Sequence, residues 1–157
     1  MAITAEAGAP APDFNMPTTA GGDRTLSDYK GRKLVLYFYP KDDTPGCTKE
    51  AIAFTEQADA FDAAGISILG VSRDPVTKHE KFRTKHDLGI DLGADEDGKV
   101  CEDYGVWVEK KMYGKTYMGI ERATFLIDEN GQISKVWRKV KVPGHAEAVF
   151  EAATNGA

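Results

Sequence analysis

The stretch FYPKDDTPGCTKEAIAF, Phe38 to Phe54, decides how the chain is read. It opens at the end of an apolar run, Lys33 to Tyr39 (KLVLYFY), whose aliphatic, β-branched and aromatic residues predict a buried central strand stopped by Pro40. Thr44-Pro45 is a helix start signal. A threonine hydroxyl at the N-cap can accept a backbone N–H, and proline at the first helical position loses no hydrogen bond. Beyond it Ala51, Phe54, Ala58 and Phe61 recur at spacings of three and four until Gly65, which is one apolar helix face. Cys47 therefore falls in a first helical turn, where unpaired N–H groups and the helix dipole favour a negative sulfur, the nucleophilic form. A cysteine so placed can also be an inert core residue. Its neighbours have to decide.

Outward from this stretch, Ile66 to Val71 (ISILGV) reads as a second buried strand, and Pro75 opens a helix through about Asp87 with Val76 and Phe82 among its apolar positions. Strand, helix, strand, helix implies parallel pairing. Upstream, Asp13 to Gly31 suggests short extended pieces turning at Ala20-Gly21-Gly22. Downstream, Ala123 to Ile127 (ATFLI), the turn Asp128-Glu129-Asn130-Gly131 and the alternating ISKVWRKVKV read as a hairpin, and Gly144 to Ala153 as a terminal helix. The expectation is a single α/β domain over residues 1–157, with 1–12 an irregular lead-in. Its central mixed sheet should be parallel in the first half, antiparallel in the second, and flanked by helices.

The 157 residues are 41% hydrophobic and 29% charged with a net charge of -5, a balance that disfavours nonspecific binding to nucleic acid or an anionic membrane. No apolar run approaches the ~20 residues that cross a bilayer. The first residues carry neither a basic start followed by an apolar segment nor an arginine before Arg24, so a reducing cytoplasm is the expected compartment. Two cysteines, Cys47 and Cys101, are too few for a disulfide framework.

The array Pro40-x-x-x-Thr44-x-x-Cys47 resembles the active-site signature of peroxiredoxins, and FYPKDDTPGCTKEA that of the bacterioferritin-comigratory, or Q-type, subfamily. GVSRDP at Gly70 to Pro75, VCEDYGVW at Val100 to Trp107 and MYGKTYMGIERATFLID at Met112 to Asp128 extend the resemblance over nearly the whole chain. It implies a thioredoxin-like fold. It also implies a thiol-dependent peroxidase that uses no metal, haem or flavin on hydrogen peroxide and small organic hydroperoxides.

By this resemblance Cys47 is the nucleophile that becomes a sulfenic acid, and Thr44 hydrogen-bonds the substrate oxygen. Backbone N–H groups near Gly46 and Cys47 add donors, Pro40 shields the sulfur, and Arg122 keeps it ionised and stabilises the transition state. Glu50, three residues after Cys47, lies on a neighbouring helix face and is a candidate to orient Arg122. The chain departs from the family pattern at the second thiol. Ile52 stands five residues after Cys47, where many relatives have a resolving cysteine, and Lys81, Phe82 and Arg83 stand where others have it. Cys101 is the remaining candidate and reads more readily as a packed thiol. The expectation is a one-cysteine mechanism with an external reductant, glutathione or a thioredoxin-type protein, acting on a monomer. The competing readings are a peroxide-oxidised sensor or chaperone-like binding protein with negligible turnover, and a thiol transferase.

Other motifs point nowhere. YGKT at Tyr113 to Thr116 ends like a phosphate-binding loop, but Glu109 occupies the required glycine position. His79, His86 and His145 form no ligand spacing with either cysteine and read as surface residues. The basic residues of WRKVKV read as a solvated strand face, and Glu50 rules out a Cys-x-x-Cys pair.

Overall fold

In the computed structural model, which describes residues 5–155, the apolar run from Lys33 forms the strand on which the rest is built. Residues 1–4 of the expected lead-in lie outside that description. In chain order the first elements are β1 (Asn15–Thr18), β2 (Gly22–Thr25), β3 (Lys33–Phe38), α1 (Pro45–Ala63), β4 (Ile66–Ser72) and α2 (Val76–His86). Then come β5 (Asp91–Ala94), α3 (Lys99–Asp103), β6 (Trp107–Met112), β7 (Lys115–Ile120), β8 (Ala123–Ile127), β9 (Ile133–Trp137) and α4 (His145–Thr154).

The main sheet has the order β2-β1-β5-β4-β3-β8-β9. β3, β4 and β5 run parallel, and β8 and β9 continue antiparallel, as the strand and helix pattern implies. One part of the first half differs: β1 and β2 form an antiparallel hairpin, joined antiparallel to β5. A turn as short as the one at Ala20 to Gly21 can return the chain only antiparallel. The described part of the lead-in is pinned, because Gly8 N–H donates to the Ile133 carbonyl and Ala11 N–H to that of Gly131.

Side chains along β3 alternate between two cores. Leu34, Leu36 and Phe38 enter one with Met16, Val100, Cys101 and Tyr104, while Val35 and Tyr37 enter the other with Cys47, Phe54, Phe61, Phe82 and Val149. Helices α1, α2 and α4 cover the second face of the sheet. A strand walled on both faces must be apolar at every position, which is why KLVLYF shows no period. The two cysteines consequently lie on opposite faces of the sheet.

β6 and β7 stand apart as a two-stranded ribbon. Their turn is Tyr113-Gly114, both at positive φ (53° and 76°), the backbone of a two-residue hairpin turn. That is what YGKT encodes. The strand expected to run to Val142 ends at Trp137, and Lys139 sits at a φ of 48°.

Candidate active site

Thr44 is the N-cap of α1, with extended backbone (φ -93°, ψ 156°), and Pro45 and Gly46 place Cys47 third in the helix. The threonine hydroxyl does not close the helix end as expected. It donates to the Lys41 carbonyl at 2.9 Å, folding the loop on itself and keeping its oxygen lone pairs as acceptors. Pro45 has no N–H, and those of Gly46 and Cys47 have no intrahelical partner. The helix end thus keeps its positive potential beside the sulfur.

Arg122 approaches from the segment between β7 and β8. Its backbone there is held on both sides, since Glu121 N–H donates to the Val106 carbonyl and Val140 N–H to the Arg122 carbonyl. The guanidinium forks: Nη2 donates to Cys47 Sγ at 3.3 Å and Nη1 to Glu50 Oε1 at 2.6 Å. Glycine at position 46 permits this approach, because a Cβ there would lie 3.1 Å from Nη2. Burial opposes the arginine's charge, yet Glu50 and Cys47 outweigh it and raise its pKa above the ordinary value. Glu50 is buried, and Oε2 has no partner among the described residues. Burial pushes its pKa up to about 7 against the pull of Arg122. Cys47, Glu50, Arg122 and Thr44 are thus gathered around one helix end, and Pro40 stands exposed where β3 enters the loop. Cys101 is not among them.

Residues that sequence reasoning passed over hold the loop in place. Asp42 is buried, accepts from the Tyr39 hydroxyl at 2.5 Å, and pairs through Oδ2 with His79 Nδ1 at 2.6 Å. The other ring nitrogen, Nε2, lies 2.9 Å from the Gly93 carbonyl, which can only accept, so Nε2 carries a proton. Asp42 N–H donates to Asp74, and the next residue, Asp43, at a φ of 63°, pairs with Lys85 at 2.7 Å and His86 at 2.8 Å. Helix α2 therefore grips the loop through both aspartates.

The expectation of surface histidines fails here. His79 and His145 are buried, the latter bonded to Thr124 at 2.7 Å with its pKa lowered to about 4 by burial. A signal for His79 was present: with Val76 and Phe82 it falls on the i, i+3, i+6 stripe that faces the sheet. Ile52 is partly exposed on α1 and Phe82 is buried on α2, packed against the rings of Tyr39 and His86.

A cysteine in the first turn of a helix, with a guanidinium donating to its sulfur, on a mixed sheet flanked by four helices, defines the thioredoxin-like thiol peroxidases. The chain belongs to the AhpC/TSA family, whose model matches residues 7–136. It is similar to Peroxiredoxin Bcp of Bacillus subtilis, with 51% identity over 148 residues that cover 94% of each chain. Among solved structures it is similar to the bacterioferritin comigratory protein of Xanthomonas campestris, studied for alkyl peroxide reduction activity. That match has a TM-score of 0.89 and 44% identity over 96% of this chain and 98% of the other. BcpB from Mycobacterium tuberculosis matches with a TM-score of 0.84 and 32% identity over 97% and 98% of the two chains. The chain is a peroxiredoxin, an enzyme that reduces hydroperoxides at the expense of thiols.

Proposed function

We propose that Cys47 is the sulfur that attacks the hydroperoxide and that a thiol from outside the chain regenerates it. The observation that carries this reading is the Arg122 fork, one guanidinium donating to both Sγ and Glu50. The thiolate attacks one peroxide oxygen in line with the O–O bond. An S–O bond forms as the O–O bond breaks, and the electron pair leaves with an alkoxide or hydroxide that takes up a proton. Arg122 and the N–H groups of Gly46 and Cys47 oppose the charge growing on the oxygens. Thr44 Oγ, already donating to Lys41, accepts from the substrate's O–H.

The product is a Cys47 sulfenic acid. An external thiolate attacks its sulfur and expels hydroxide, forming a mixed disulfide. A second thiol of the reductant then displaces Cys47 as thiolate and leaves the reductant oxidised. Small organic hydroperoxides are proposed as substrates alongside hydrogen peroxide, in line with the alkyl peroxide reduction of the Xanthomonas relative. Pro40, at the mouth of the loop, is assigned the shielding of the sulfur. The chain is proposed to act as one unit over residues 1–157, as a monomer in a reducing cytoplasm; no described helix is long and apolar enough to cross a membrane. Counting turnovers tests the reading. Many equivalents of peroxide consumed per protein with a supplied thiol are expected, and a single equivalent would mark a sensor instead.

A further inference from the structure

Exposed apolar side chains concentrate on one element. Of five large ones among the described residues, Met112, Tyr113, Tyr117 and Met118 lie on the β6–β7 ribbon, 54%, 96%, 44% and 49% exposed. Lys110, Lys111 and Lys115 interleave with them against one acid, Glu109, so the ribbon is locally positive on a chain of net charge -5. The register sets Lys110 opposite Tyr117 and Met112 opposite Lys115 on one face. Gly119 keeps that face low, since a Cβ there would meet the Lys110 stem at 3.3 Å and the Tyr117 ring at 3.4 Å.

The ribbon is fixed at its base and free at its tip. Trp107 lies under the Arg73 guanidinium, 4.6 Å from ring centroid to Cζ, and Ile120 is buried. Two residues beyond Ile120 the chain reaches Arg122, whose guanidinium touches the sulfur. Lys110 stands within electrostatic reach of both: burial chiefly, then Arg122, lower its pKa, and Cys47 opposes them. The base of the ribbon therefore leads directly into the arginine that covers the sulfur a reductant has to reach, and Cys47 is only 2% exposed.

We infer that the β6–β7 ribbon is the docking surface for the reductant, and that this reductant is a small protein of acidic surface carrying its own reactive thiol. The inference rests on the peroxidase reading above and names the partner of that site. Three lysines along the ribbon complement an acidic rim and speed encounter. Tyrosine and methionine supply contact area that adapts to a partner surface. A tripeptide thiol would need neither the length of the ribbon nor its tip.

The test uses the full chain and a triple variant, Lys111→Glu, Lys115→Glu and Tyr113→Asn, the last because asparagine tolerates a positive φ. Peroxide consumption is measured with dithiothreitol and, separately, with a reduced thioredoxin-type protein of net negative charge. The variant should lose about tenfold in kcat/KM for the protein thiol and stay within about twofold of wild type with dithiothreitol. Added salt should slow wild type with the protein thiol but speed the variant, whose ribbon carries three acids against Lys110 and repels an acidic partner. Equal kcat/KM for the protein thiol in both chains would overturn the docking surface alone. So would ribbon-dependent dimerisation, or ribbon-dependent binding to phosphatidylserine vesicles in place of the protein. No peroxide consumption by wild type with either reductant would overturn the peroxidase reading, and the docking surface with it.

Discussion

Cys47 and Cys101 are both buried, and each is the third residue of its helix, yet the charge beside them has opposite sign. Around Cys47 the helix end is left without a side-chain cap and Arg122 donates to the sulfur. Around Cys101 the same backbone donors are already taken: Asp95 accepts from Val100 N–H at 3.1 Å and from Cys101 N–H at 2.8 Å. Burial, and then the charge of Asp95, raise the Cys101 pKa far above that of an ordinary thiol. A helix start does not by itself decide the charge that surrounds a cysteine. What matters is whether a carboxylate or nothing occupies the helix end, and which charge stands over the sulfur. The sheet adds distance, since it separates the two sulfurs that a disulfide would require within a Cα spacing of about 7 Å.

The contrast can be broken most completely at Cys47 itself. Cys47→Ser should abolish peroxide consumption in a steady-state assay. Removing the charge comes next: Arg122→Ala should slow sulfur oxidation in stopped flow by about 10²–10³, the cost of losing one donor to a developing oxyanion. Arg122→Lys should restore only part, because an ammonium lacks the planar fork that reaches Glu50 and Sγ together.

The clamp behind the loop is a matter of stability first. His79→Gln removes the ring nitrogen bonded to Asp42 Oδ2 and leaves a buried carboxyl oxygen unpaired, which should cost about 1–3 kcal/mol in a urea titration. Glu50→Gln keeps the shape but removes the charge that holds Arg122, and about a tenfold loss of oxidation rate is expected. The sign of its pH dependence is definite. Folding raises the Glu50 pKa from 4.5 to about 7, so the native state holds a proton there that the unfolded chain has released. Stability therefore falls as pH rises through that window, while the ionised form that orients Arg122 accumulates above it. Both trends should flatten in Glu50→Gln, by thermal melts and by rates across pH. The smallest effect belongs to Cys101→Ser, which should stay within about twofold of wild type in turnover.

Much of this was legible in the chain. KLVLYF, ISILGV and ATFLI announce the central strands because each is walled on both faces, and the Thr44-Pro45 signal located the helix that carries Cys47. The short or polar elements between Asp91 and Ile120 were not legible. β5 has four residues, α3 five, and the exposed side chains of β6 and β7 follow no apolar period. The loop clamp stayed hidden for a different reason. Its partners, Asp42 and His79, are 37 residues apart, and only the crossing of α2 over the sheet joins them. The hydroxyl of Thr44 was misjudged because its competing acceptor, the Lys41 carbonyl, exists only once the loop has folded.

The most direct measurement treats the native chain with one equivalent of hydrogen peroxide, traps sulfenic acid with dimedone and locates the adduct by mass spectrometry. The adduct is expected on Cys47 alone, with Cys101 still a free thiol. An adduct on Cys101, or a disulfide joining the two, would contradict the account.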